Sequence, residues 1–383
     1  MFLIKPKKLL MVAVIFFIGA TIFIFSRKQV PISIEYTASS SALNSVNIPA
    51  PKRTPTHIST PKPVKGIYMT SWVAGTKDWR QRMVKLIEET ELNSIVIDIK
   101  DYSGHISFEV SDPVLKETGA VENRIPDIRE FIEILHGKNI YAIARISVFQ
   151  DAYLAKKRPD LAVKRKDGRV WKDYKGIAWL NPVSREVWDY TIKVSKEAEV
   201  VGFDELNFDY IRYPSDGNMK DIVLPYADGA KNKAESMRVF FAYLEKELRP
   251  LKIPLSADMF GFVTTHTDDL NIGQILEYAE PYFDYISPMV YPSHYPKGYK
   301  NYSNPAAHPY EIIYQAMASS TERMLAATSS PSKLRPWLQD FDLGATYTAE
   351  MIRKEKQAVY DVGLDSWLLW DPANKYTRGA LDI

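Results

Sequence analysis

A chain of 383 residues that is 46% hydrophobic and 25% charged has the composition of a globular protein and room for one large domain or two ordinary ones. The net charge of +2 is uneven: residues 1–64 hold eight Lys or Arg against Glu35 alone, a net +7, which leaves −5 on residues 65–383 and argues against a nucleic-acid partner for that part. The absence of cysteine excludes disulfides, thiolate nucleophiles and Cys metal sites.

The first element is LLMVAVIFFIGATIFIFS, residues 9–26, uncharged and flanked by Lys5, Lys7 and Lys8 on one side and Arg27-Lys28 on the other. At ~1.5 Å per residue this helix nearly spans a hydrocarbon core. No small-x-small cleavage site follows, so residues 1–28 read as a cytoplasmic tip and an uncleaved transmembrane signal anchor. Residues 29–64 are rich in Ser, Thr and Pro, the composition of a linker. Together they predict a single-pass protein of the cell membrane, partnered to the bilayer by its N-terminal helix. Its main domain, residues 65–383, would lie on the extracytoplasmic side.

From Lys65 onward a short β-rich run ending in polar residues alternates with a helical stretch. The runs are 65–72, 93–101, 140–149, 205–213, 253–261, 284–292, 334–341 and 365–372. Between them, Trp79, Met83, Leu86 and Ile87 share one helical face, with Asp78 as the expected N-cap. Ile128, Phe131, Ile132 and Leu135 share another, and further helices are expected at 185–199, 231–247, 272–279, 309–325 and 348–361. Eight strands alternating with helices predict an α/β fold, a (β/α)8 TIM barrel. No Gly-rich dinucleotide loop follows the first strand, which counts against a doubly wound sheet.

In such a barrel, function sits at the C-terminal strand ends. The fourth run, GFDELNFDYIRYP, alternates Leu206, Phe208 and Tyr210 with Glu205, Asn207 and Asp209, so one face is apolar and the other acidic. Asp209, at the mouth and beside arginines that favour its ionised form, has the place of a glycosidase nucleophile or charge stabiliser. Glu205 lies about 13 Å deeper at strand rise and reads as structural, paired with Lys100 or Arg145. Asp258, on SADMFG one strand along, shares a face with Ser256 and is the candidate general acid. Two carboxylates of unequal proton affinity across a glycosidic bond are what its hydrolysis needs. Adjacent strands favour a retaining mechanism.

Asp98 and Lys100 alternate with isoleucines and are expected to face inward with Arg145, where all three either bind substrate or form structural salt bridges. Arg212, Gln339 and His294 fall at strand ends or just past them and are expected to bind substrate. Trp72, Tyr291, Trp337 and Trp370 are candidate platforms for sugar rings. The six histidines form no HxH or HExxH pair, so neither a metal nor a cofactor is expected.

GFDELNFDYIRYP, SADMFG, ISPMVYPSHYP and WLQDF, in that order, resemble a family of bacterial glycoside-hydrolase barrel domains related to amylase-like barrels, over Lys65 to the C-terminus. The resemblance implies a hydrolase of polysaccharide or oligosaccharide, with a strand-4 Asp as nucleophile and a strand-5 acid, usually Glu, as proton donor. It thereby implicates Asp209 and Asp258, the latter one methylene shorter than the family's Glu. The alternatives are a non-catalytic carbohydrate- or wall-binding barrel and a polysaccharide deacetylase or lyase.

Overall fold

Eight parallel strands close on one another in the order in which the chain makes them. They are β1 (Lys65–Met69), β2 (Ser94–Lys100), β3 (Tyr141–Ser147), β4 (Glu205–Asp209), β5 (Leu255–Phe260), β6 (Tyr285–Met289), β7 (Trp337–Gln339) and β8 (Trp367–Trp370). β8 pairs back onto β1, Lys65 opposite Trp367, and closes the barrel. The computed structural model describes residues 55–383, so the expected anchor at 1–28 lies outside the described residues. Among those described, no helix is long and apolar enough to cross a membrane.

The crossovers carry α1 (Lys77–Glu88), α2 (Ile128–Gly137), α3 (Arg185–Val201), α4 (Lys233–Leu248), α5 (Leu276–Ala279), α6 (Pro309–Ala326) and α7 (Ala349–Asp361). Caps set several ends: Asn232 accepts from Glu235 N at α4, Thr348 accepts from Met351 N at α7, and Gly202, at φ +109, stops α3. Two local expectations fail. The N-cap of α1 is Thr76, and Asp78 sits inside the first turn, where its charge complements the helix dipole. The helix expected at 272–279 is a single turn, because Leu270 and Asn271 take positive φ just before it and Pro281 follows.

Strand alternation sorts the side chains into two cores. Ile95, Ile97, Leu206, Phe208, Leu255 and Ala257 fill the layer between barrel and helices. Each large one stabilises by ~1.5–3 kcal/mol on leaving water. Tyr68, Val96, Tyr141, Ile143, Trp337 and Leu368 pack inside the barrel.

The floor of the barrel is polar and sealed. Glu205 is fully buried and accepts from Arg335 Nη2 at 2.5 Å and Tyr141 Oη at 3.0 Å, and Arg335 lies 3.7 Å over the Tyr285 ring. Its cation is therefore Arg335, not Lys100 or Arg145 as the sequence suggested, because the chain entering β7 passes at the depth of Glu205. Residues of the expected linker close the same end. Ile58 N donates to Asp204 Oδ1 at 2.8 Å, Thr60 Oγ1 meets Tyr141 Oη at 3.0 Å, and Val64 N donates to Ser366 Oγ at 3.1 Å.

Candidate active site

Register places the inward residues of β2 to β5 side by side. Asp98 is opposite Arg145, Arg145 opposite Asn207, and Asn207 opposite Ser256. Two residues further on, Asp209 and Asp258 stand level on adjacent strands.

Arg145 is the hub. Its Nη1 donates to Asp98 Oδ1 at 2.5 Å, its Nη2 donates to Asp209 Oδ2, and its Nε lies 3.6 Å from Asp258 Oδ2. Its guanidinium carbon sits 5.0 Å from the Trp370 ring centre and 5.6 Å from that of Tyr68. Those two rings stack at 3.8 Å. One cation thus faces three buried carboxylates.

The three are not equivalent. Asp98 also accepts from Tyr68 Oη, yet burial pushes its carboxyl up against the pull of Arg145. Asp209 Oδ1 accepts from Tyr210 N at 2.5 Å, a contact made because the strand ends there and Tyr210 takes φ +53. Asp258 is 1% exposed, has no cation closer than the 3.6 Å contact, and accepts on Oδ1 from two neutral donors, Asn207 Nδ2 at 2.9 Å and Trp337 Nε1 at 2.8 Å. Burial and then the charge of Asp209 push it up to about 7, against the opposing pull of Arg145. A carboxyl raised toward neutrality beside one with the closer cation is an arrangement that can supply a proton donor and a nucleophile or charge stabiliser.

The other expected residues divide. Tyr291 is buried at the site; burial, then Asp258 and Asp209, push its hydroxyl well above its ordinary range. Trp370 forms the wall over Arg145. His294 is at the rim, its ring 5.2 Å from Tyr291 and 6.1 Å from Phe341. Trp72 is 59% exposed just past β1, 4.5 Å from the Arg124 guanidinium. Arg212 is half-buried three residues past β4.

Three expectations are corrected. Lys100 leaves the site because a bulge between Asp98 and Lys100 reverses its facing; its Nζ pairs with Asp151 at 2.8 Å and donates to Ser147 O at 2.6 Å. Gln339 is fully buried with both ends used, Oε1 accepting from Ser293 N at 3.2 Å and Nε2 donating to Phe341 O at 2.9 Å, so it orders the loop after β6 rather than offering groups to a sugar. Trp337, expected as a platform, is fully buried and gives its N–H to Asp258.

Sequence reasoning missed Tyr68, for which the period-two alternation along β1 was the available signal. Tyr210, assigned to the apolar face of β4, packs partly buried against the outer core and meets the Trp179 ring at 5.7 Å, with burial and then the charge of Asp209 raising its hydroxyl. Among the described residues, no three His, Cys, Asp or Glu side chains are placed to hold a metal ion.

Comparison with known proteins agrees with this architecture. Residues 66–376 match the family model described as "Putative glycosyl hydrolase domain". A search of curated proteins finds no match. A solved hypothetical protein from Ruminiclostridium thermocellum is 34% identical, covering 54% of this chain and 98% of that one, with a TM-score of 0.47. The glycoside hydrolase domain of PgaB (BpsB) from Bordetella bronchiseptica is 11% identical over 84% of this chain and 99% of that one, with a TM-score of 0.60. Alpha-L-fucosidase isoenzyme 2 from Paenibacillus thiaminolyticus is 14% identical over 83% of this chain and 47% of that one, with a TM-score of 0.58. At such identities the last two are similar in fold.

Proposed function

The chain belongs to this family of glycosyl hydrolase domains, and from that premise we propose that it hydrolyses a polysaccharide or oligosaccharide with Asp209 and Asp258 as its carboxylate pair. The observation that carries the reading is the inequality of the pair: Asp209 accepts directly from Arg145, while Asp258, buried among neutral donors with Arg145 no nearer than 3.6 Å, is pushed up to about 7. That a glycoside hydrolase domain and a fucosidase share the fold agrees with a carbohydrate substrate.

In the first step Asp258 gives its proton to the glycosidic oxygen as the bond from that oxygen to the anomeric carbon breaks. Asp209 attacks the same carbon and forms a glycosyl ester. In the second step Asp258, now a carboxylate, takes a proton from water, whose oxygen displaces Asp209. Arg145 steadies Asp209, and Asn207 and Trp337 orient Asp258. Tyr291, Trp370, His294 and Trp72 would contact the sugar. The uncharged segment at residues 9–26 supports a membrane-anchored protein that meets its glycan outside the cytoplasm.

The test is reducing-end release from a glycan panel by the wild type, Asp209→Asn and Asp258→Asn. The wild type is expected to release ends from at least one glycan, and each variant to lose that release. One observation favours a second reading, a carbohydrate-binding barrel without turnover: Asp258 is almost fully enclosed. That reading expects no release by the wild type, and glycan binding that survives both substitutions.

A further inference from the structure

Half-buried Arg212 is set apart from other buried and half-buried arginines. Arg145, Arg335, Arg80 and Arg124 each pair with at least one carboxylate. Among the described residues Arg212 has no such pair. Its Nη1 donates to Tyr213 O and Ser215 Oγ, both at 3.1 Å, and its guanidinium carbon lies 5.0 Å from the Trp179 ring centre and 5.6 Å from that of Tyr210. Asp209, Asp216 and Asp173 act on it only at longer range, and burial lowers its proton affinity. A half-buried cation without a counter-ion keeps an open edge that an anion can take. Nη1 is engaged by neutral groups, and Nε and Nη2 have no protein partner among the described residues. The Tyr210 ring that Arg212 packs against carries the hydroxyl that feels Asp209 and Arg145. Arg212 and Asp209 are thus both neighbours of Tyr210, and the Asp209 charge acts on the guanidinium.

A second observation concerns the ribbon beside it. Residues 164–175 carry Lys164, Arg165, Lys166, Arg169, Lys172 and Lys175 against Asp167 and Asp173, on a domain whose overall charge is negative. The ribbon is fastened to the turn that Arg212 opens. Asp173 bridges Gly217, Tyr174 N donates to Asp216 O at 3.2 Å, and Trp171 Nε1 donates to Asn218 O at 3.1 Å. Trp171 packs so closely on Gly217 that a Cβ there would meet the ring at 2.3 Å. Lys172 and Lys175 are exposed on either side of Tyr174, which is 78% exposed. Cations and an open aromatic face together suit a charged sugar ring.

We propose that the substrate is an acidic glycan, and that Arg212 binds the carboxylate of a uronate-type residue next to the cleaved bond, with Lys172, Lys175 and Tyr174 holding the strand beyond it. A guanidinium edge matches a carboxylate in two-point geometry, which a neutral hydroxymethyl group does not supply. This rests on the hydrolase reading for the place of the cleaved bond, but the binding it describes does not need turnover.

The test is calorimetric binding to Asp209→Asn protein, which prevents turnover. The probes are fragments of polygalacturonate, alginate and hyaluronan, the same fragments with their carboxylates reduced to alcohols, and a glycerol-phosphate polymer. At least one uronate fragment is expected to bind, with carboxyl reduction weakening it by ~10- to 100-fold. Arg212→Gln should remove that difference, and Arg212→Lys should restore only part of it. Lys172→Gln with Lys175→Gln, both exposed and safe for the fold, should weaken the uronate fragment and flatten its salt dependence while leaving the reduced fragment unchanged. A panel in which no uronate fragment binds, in which the phosphate polymer or reduced fragments bind as well, or in which Arg212→Gln keeps the carboxylate preference overturns the proposal. Arg212-dependent uronate binding without turnover by the wild type would sink the hydrolase reading alone. Turnover of a neutral glycan that is indifferent to Arg212→Gln would sink this inference alone.

Discussion

Asp209 and Asp258 stand level on adjacent strands and share Arg145 unequally: its Nη2 donates to Asp209, while its Nε stays 3.6 Å from Asp258. The asymmetry leaves one acid with the cation and the other with a proton, and pH follows from it. The donor must be protonated, so kcat/KM should fall as pH rises through about 7. A pH–rate profile with no alkaline limb near neutrality would contradict the assignment of Asp258.

The same group should govern stability. A carboxyl raised on folding contributes stability that is fully present below its unfolded value of ~3.9 and is lost as pH rises through the folded value. Asp258→Asn mimics the protonated form and removes that dependence. Thermal melts should show the variant gaining on the wild type between pH 5 and pH 8.5, by roughly 3 kcal/mol over that range. Parallel pH curves for the two proteins would show that Asp258 is not the raised group.

Asp209→Asn should lower kcat by about 10³-fold or more while changing KM little, because it removes a group that acts on the reacting carbon. It also removes the negative charge that raises Asp258, so the residual activity should have its alkaline limb at lower pH. Steady-state kinetics across pH measure both effects.

Trp337→Phe removes the indole donor to Asp258 and nothing else polar. Loss of a donor that favours the carboxylate should move the alkaline limb to higher pH, in the opposite sense to Asp209→Asn. A structural role alone would lower stability and leave the limb in place.

Lys100→Met should destabilise by ~3–5 kcal/mol in denaturant unfolding, because it leaves Asp151 buried without its cation. KM should not change, since Lys100 lies behind the barrel wall. A raised KM with unchanged stability would return Lys100 to the substrate.

These cases show how far the sequence could be read. Hydrophobic alternation located all eight barrel strands and placed Asp98, Arg145, Asp209 and Asp258 on the inner face, because a period of two survives wherever one face is buried. It failed where the backbone breaks period. The bulge after Asp98 carried Lys100 outward, and the positive φ at Tyr210 ended the strand there and set its N–H on Asp209. It also could not assign partners, since Glu205 meets Arg335 from 130 residues away. Nothing local to Trp337 distinguishes a sugar platform from a donor to Asp258.

The most direct measurement is a carboxyl-carbon NMR titration of aspartate-labelled protein, which needs no substrate. The wild type should show a carboxyl titrating at about 7 that disappears in Asp258→Asn and moves to lower pH in Asp209→Asn. Asp340, pushed to about 7 by burial and then by the charge of Asp371, should persist in both variants as an internal control. A wild type in which no resonance near neutrality is lost with Asp258, or in which that resonance ignores Asp209→Asn, would contradict the pair.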